Sequence, residues 1–105
     1  FKKYIPLLRR LTAAGWQPLT HATCDNPNIL VERFGPDHSG TVFLTLLNDT
    51  LESQTGALTA DLKALGLKRS ASAQELVSGN PATPSIRGWK ISLRPHQAEV
   101  LCLSK

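Results

Sequence analysis

From about residue 20 onward, turn-forming residues interrupt the chain at short, fairly even intervals. The clusters are Asp25-Asn26-Pro27-Asn28, Gly35-Pro36-Asp37, Ser39-Gly40, Asn48-Asp49, Gly79-Asn80-Pro81 and Arg94-Pro95-His96. Such spacing leaves no room for long helices, and the segments between the clusters are β-prone. Ile29–Phe34 is one. Thr41–Leu47 is nearly all apolar, as a strand covered on both faces would be. Residues 56–62 alternate, with Gly56, Leu58, Ala60 and Leu62 on one side and Ala57, Thr59 and Asp61 on the other. Residues 87–94 alternate as well, with Trp89, Ile91 and Leu93 set against Lys90, Ser92 and Arg94. Alternate side chains of a strand leave by opposite faces, so Trp89 is expected inside, largely buried with Ile91 and Leu93. Ala98–Leu103 reads as a final strand. Residues 70–77 allow two readings: a helical turn capped by Ser70, or a short edge strand at Glu75–Val77. Together these runs predict an all-β antiparallel β-sandwich over residues 22–105. A five-stranded, partly open barrel is the alternative fold.

Residues 1–21 have a different texture. Tyr4, Ile5, Leu7, Leu8 and Leu11 recur at three- and four-residue spacing, which predicts one N-terminal α-helix over about residues 2–14. Pro6 must then sit in the first turn. Gly15 is the natural C-cap, and Trp16 follows it as an anchor. A helix so broadly apolar needs a surface to pack on. Residues 1–21 are therefore expected to be a helix and linker, either the end of a preceding domain or a docking helix.

At 105 residues the chain is one domain's worth of protein. Apolar residues make up 41% and charged residues 19%, a balance that fits neither a disordered segment nor a membrane protein. No apolar run approaches the ~20 residues of a membrane helix. The sequence has no methionine, so it is expected to be a piece of a longer polypeptide.

Residues suited to chemistry are sparse. There is no Gly-x-Ser-x-Gly elbow. His38 and Ser39 lie with Asp37 in a turn, and Asp49 and Glu52 read as loop acids. His21-x-x-Cys24 has ligand-like spacing, and His38 is a conceivable third donor, but no second close pair accompanies them. No Gly-rich loop opens a helix to cradle phosphate. No catalytic, cofactor-binding or metal-binding residue is expected, and no cofactor. Cys24 and Cys102 either bridge or remain thiols. The net charge is +4, and Lys2, Lys3, Arg9 and Arg10 form the main basic cluster. A solvated face explains that cluster; the alternative is a basic, single-stranded nucleic-acid-binding β-barrel. Tyr4 and Trp16 remain as aromatic platforms for a sugar, or as packing surface.

The strand Thr41–Asn48, the alternating run Thr55–Leu62, the phrase Ala73–Gly79 and the two strands joined through Leu93-Arg94-Pro95 carry a resemblance. Over about residues 29–103 the chain resembles the small C-terminal β-sandwich that closes many α-amylase-like and related barrel glycosidases. The motif positions are Leu76, Gly79, Leu93, Pro95 and Leu101. The resemblance implies a non-catalytic C-terminal accessory domain of a larger carbohydrate-active enzyme, a glycoside hydrolase. Its partner would be the catalytic domain of the parent chain, which it stabilises or completes. Tyr4, Leu8, Leu11 and Trp16 would then be the domain-interface or sugar contacts. An independent carbohydrate-binding module is the alternative. No membrane is expected among the partners, and the resemblance carries no catalytic residue over.

Overall fold

A computed structural model describes residues 4–68, 71–85 and 88–104. It contains one helix, α1 (Tyr4–Ala14), followed by strands β1 (Trp16–Gln17), β2 (Ala22–Cys24), β3 (Ile29–Phe34), β4 (Val42–Asn48), β5 (Gln54–Ala60), β6 (Ser72–Glu75), β7 (Thr83–Ser85), β8 (Gly88–Leu93) and β9 (Ala98–Ser104). All pairings are antiparallel. A five-stranded sheet runs β1-β3-β4-β9-β6, and a four-stranded sheet runs β2-β5-β8-β7. The architecture is the expected β-sandwich with an N-terminal helix, not the five-stranded, partly open barrel.

The alternation read from the sequence builds the space between the sheets. Val42, Leu44 and Leu46 of β4 and Leu101 and Leu103 of β9 meet Leu58, Ile91 and Leu93 of the other sheet. Leu65 and Leu67, from the loop after β5, are buried in the same cluster. Trp89 packs against this core from the expected side but is only half-buried. It lies opposite Pro84 of β7, a three-residue edge strand whose exposed pattern offers little cover.

A second, smaller core lies on the outer face of the five-stranded sheet. Leu7 and Leu11 of α1 sit on Phe43 and Val100, with Ala14, Phe34 and Cys102 around them. Leu7, Leu11 and Ala14 stand at i, i+4 and i+7, one stripe of the helix. Burying each leucine contributes about 1.5–3 kcal/mol before ordering costs. Pro6 falls in the first turn, where a missing N–H costs nothing. Gly15 ends the helix at φ +89°, its N–H donating to the carbonyl of Leu11 at 3.0 Å. The carbonyl of Gly15 then accepts the N–H of Gly35 at 2.8 Å, fastening the helix end to the end of β3.

Several details differ from the sequence pattern. The segment at 70–77 is an edge strand, Ser72–Glu75 on β9, shifted from the expected Glu75–Val77; Ser70 lies outside the described residues. Strand β5 stops at Ala60, because the Asp61 carboxylate accepts the N–H of Ala64 at 3.1 Å and starts a turn. Trp16 and Gln17, ahead of the expected sandwich, pair with Phe34 and Arg33 as an edge strand. Trp16 does not anchor by burial and is 55% exposed. The two cysteines are free thiols. Cys24 lies in the four-stranded sheet, and Cys102 packs beneath α1 on the outer face of the other.

Candidate docking surface

Helix α1 covers only part of the outer face of the five-stranded sheet. Beside it runs an apolar groove of about 550 Å³. Leu7, Leu8 and Leu11 form one wall; Leu30, Thr45 and Leu47 supply much of the floor; Val77, Ala98 and Val100 close the far side. Leu30 and Leu47 are directly opposed across β3 and β4. They are 52% and 37% exposed, and Leu8 above them is 59% exposed. These three leucines form one patch rather than scattered exposed residues.

The groove's far wall is held in place by a buried carboxylate. Glu99 is 2% exposed. Its side chain accepts the backbone N–H groups of Val77 at 2.7 Å, Ser78 at 3.2 Å and Val100 at 3.0 Å. Three N–H donors satisfy a charge that would otherwise be costly to bury. The turn after β6 is thereby pinned against β9, with Val77 at the groove.

The sequence-derived contact residues fall in different places. Leu8 lies on the exposed flank of α1 and lines the groove. Leu11 also borders it but is 7% exposed and is used mainly in holding α1 to its own sheet. Tyr4 lies in the first turn of α1, with its side chain outside the described residues. Trp16 is opposite Phe34 on the edge strand beyond the helix C-terminus and does not line the groove. Leu30 and Leu47 were not singled out from the sequence. The available signal was the loss of alternation in Ile29-Leu30-Val31 and Leu46-Leu47, where apolar residues occupy both faces of a strand.

The Arg10 guanidinium stands 4.9 Å from the centroid of the Phe43 ring, a cation–π contact. Burial pushes the Cys102 thiol up from its ordinary pKa, with Arg10 pulling the other way. Of the basic cluster, Arg9 and Arg10 lie on α1, while Lys2 and Lys3 lie outside the described residues. Among the described residues, no group of three or more His, Cys, Asp or Glu comes together as a metal site. His21 and His38 are both exposed.

The outer face of the four-stranded sheet is quite different. Thr23, Thr55, Thr59, Thr83, Lys90 and Ser92 alternate with the core residues of their strands and are exposed. Among the described residues that face is polar and exposed.

No protein-family model matches the sequence, and no curated protein matches it. Solved structures with the same fold do exist. One is a GH27 β-L-arabinopyranosidase from Geobacillus stearothermophilus in complex with arabinose, at 21% identity and a TM-score of 0.57. The match covers 80% of this chain and 19% of that one. Another is a protein from Bacillus halodurans assigned as an α-N-acetylgalactosaminidase, at 17% identity and a TM-score of 0.61, covering 87% of this chain and 21% of that one. Both neighbours are glycoside hydrolases by name, and this chain spans about a fifth of their length.

Proposed function

We propose that the chain is a non-catalytic accessory β-sandwich domain of a larger glycoside hydrolase, which it stabilises or completes. One observation carries the reading. Most of the chain, 80% and 87% of its length, matches about a fifth of each of two glycoside-hydrolase chains. A domain of that share, with one outer face apolar and the other polar, has the surface expected of a module packed on a larger body.

The coding sequence around these residues gives the first test: it should contain a catalytic region of barrel size, typically about 250 residues. Deleting the domain from the parent protein should lower its melting temperature and soluble yield, while activity per folded molecule survives. Loss of the chemical step with the fold intact would instead put a reacting group in this domain.

The exposure of Trp16 favours a second reading, a module that binds carbohydrate through an aromatic platform. Retention on immobilised polysaccharide that disappears in Trp16→Ala would support it. Equal behaviour of the two proteins would remove its basis.

A further inference from the structure

On the footing of the accessory-domain reading, we propose that the groove beside α1 is the face on which the rest of its own polypeptide sits. The occupant is an apolar surface of the parent's catalytic region, lying over Leu8, Leu30 and Leu47.

The two outer faces of the sandwich differ in what they require. The threonine-rich face of the four-stranded sheet is polar and exposed among the described residues. The other face is partly covered by α1, and the groove beside it is lined by leucines. Leu8 is 59% exposed, Leu30 52% and Leu47 37%. Each leucine transferred from water to a packed contact gains free energy in proportion to the apolar area covered. A concave groove of about 550 Å³ admits protruding side chains, whereas a flat sheet would not.

The size of the matched proteins indicates what fills it. The sandwich accounts for 19% and 21% of the glycoside-hydrolase chains it matches, so a parent of similar layout has most of its mass outside this domain. Any chain continuing upstream of Phe1 enters through α1, which is itself a wall of the groove. A tethered body held beside the groove competes at high effective concentration against a second copy arriving from solution.

The test uses the full-length parent protein carrying single cysteine substitutions, labelled with a maleimide. Leu47→Cys and Leu30→Cys probe the groove, and Thr59→Cys, on the polar face, is the exposed reference. Activity and the melting transition verify that each variant is folded. Both groove cysteines should label an order of magnitude or more slowly than Thr59→Cys, independently of protein concentration. Labelling as fast as at Thr59→Cys in an active enzyme overturns the proposal while leaving the accessory reading intact. Protection that appears only where the protein dimerises also overturns it, because the occupant is then a second copy. A parent with no glycoside-hydrolase region fails the accessory reading and this proposal together.

Discussion

Asn48 is completely buried at the end of β4, and its side chain ties three segments together. Its amide N–H groups donate to the carbonyls of Glu52 at 2.8 Å, Leu93 at 3.2 Å and Arg94 at 3.0 Å. Its oxygen accepts the Thr50 N–H at 3.0 Å and the Thr50 hydroxyl at 2.6 Å. The β4–β5 loop and the end of β8 are thus held to β4, a strand of the other sheet, by one amide. Asn48→Ala leaves several buried groups unpaired and should cost about 1–3 kcal/mol in a urea melt. Asn48→Asp should cost more at neutral pH, because it turns a carboxylate toward carbonyl oxygens that need donors. Equal stability of the two variants would mean that solvent reaches the site. Asp37 works in the opposite sense. The Thr41 N–H holds its carboxyl below the usual carboxylate range, helped by the Ser39 N–H and by nearby His38 and Arg10, and opposed by partial desolvation. A depressed folded-state pKa gives stability that is fully present above the unfolded value. It is lost as pH falls through the folded value, so the window lies at and below about 3.9. Asp37→Asn keeps an acceptor for the turn but cannot titrate. Urea midpoints followed from neutral pH into the acid should converge for the two proteins, and parallel curves would sink the assignment.

At the scale of elements, β8 displays both the strength and the limit of alternation. Ile91 and Leu93 are 1% and 3% exposed, as their phase requires. Trp89 has the same phase but is less completely buried, because its outer neighbour β7 is three residues long. Trp89→Ala should therefore cost about 2–3 kcal/mol, below the 3–5 of a fully enclosed aromatic. A melting shift within a degree or two would indicate that its ring rests on the core without adding to it. Helix α1 gives a similar lesson. Its period and its Gly15 cap were legible, yet apolar residues stand on more than one of its faces. Only the sheet beneath selects Leu7, Leu11 and Ala14 as the buried stripe and leaves Leu8 outside. The short strands β1, β2 and β7 were not legible at all. Two or three residues carry no period, and such strands exist through their pairing partners.

Across the whole molecule, the cohesive forces are apolar burial and buried hydrogen bonding. Among the described residues no Lys or Arg pairs with a carboxylate, and the one His–carboxylate contact, His96 with Asp49 at 3.6 Å, is exposed on both sides and contributes little. The inter-sheet core and the helix–sheet core share strands β4 and β9, so those strands are covered on both faces where α1 lies over them. Where α1 ends its coverage, the same strand pattern leaves Leu47 partly exposed, opposite Leu30. The docking groove is therefore a property of the assembled molecule: a two-sided apolar strand meets a helix too narrow to cover it.

The strands β3, β4, β5, β8 and β9 and the helix with its cap followed from local physics. Period-two alternation, β-branched runs and turn residues act within a few positions and can be read along the chain. The sandwich class followed from their number and spacing. Which strands are neighbours, and which face of α1 is inside, depends on contacts between residues far apart in sequence. Glu99 shows the distinction most clearly. As a charged residue in an apolar run it gives no sign of being buried, and it is buried only because the fold brings the N–H groups of Val77 and Ser78 to its carboxylate. The exposed leucine groove has the same origin. Leu8, Leu30 and Leu47 are ordinary apolar positions in their own segments, and only the register of β3 on β4 and the placement of α1 bring them together in one groove.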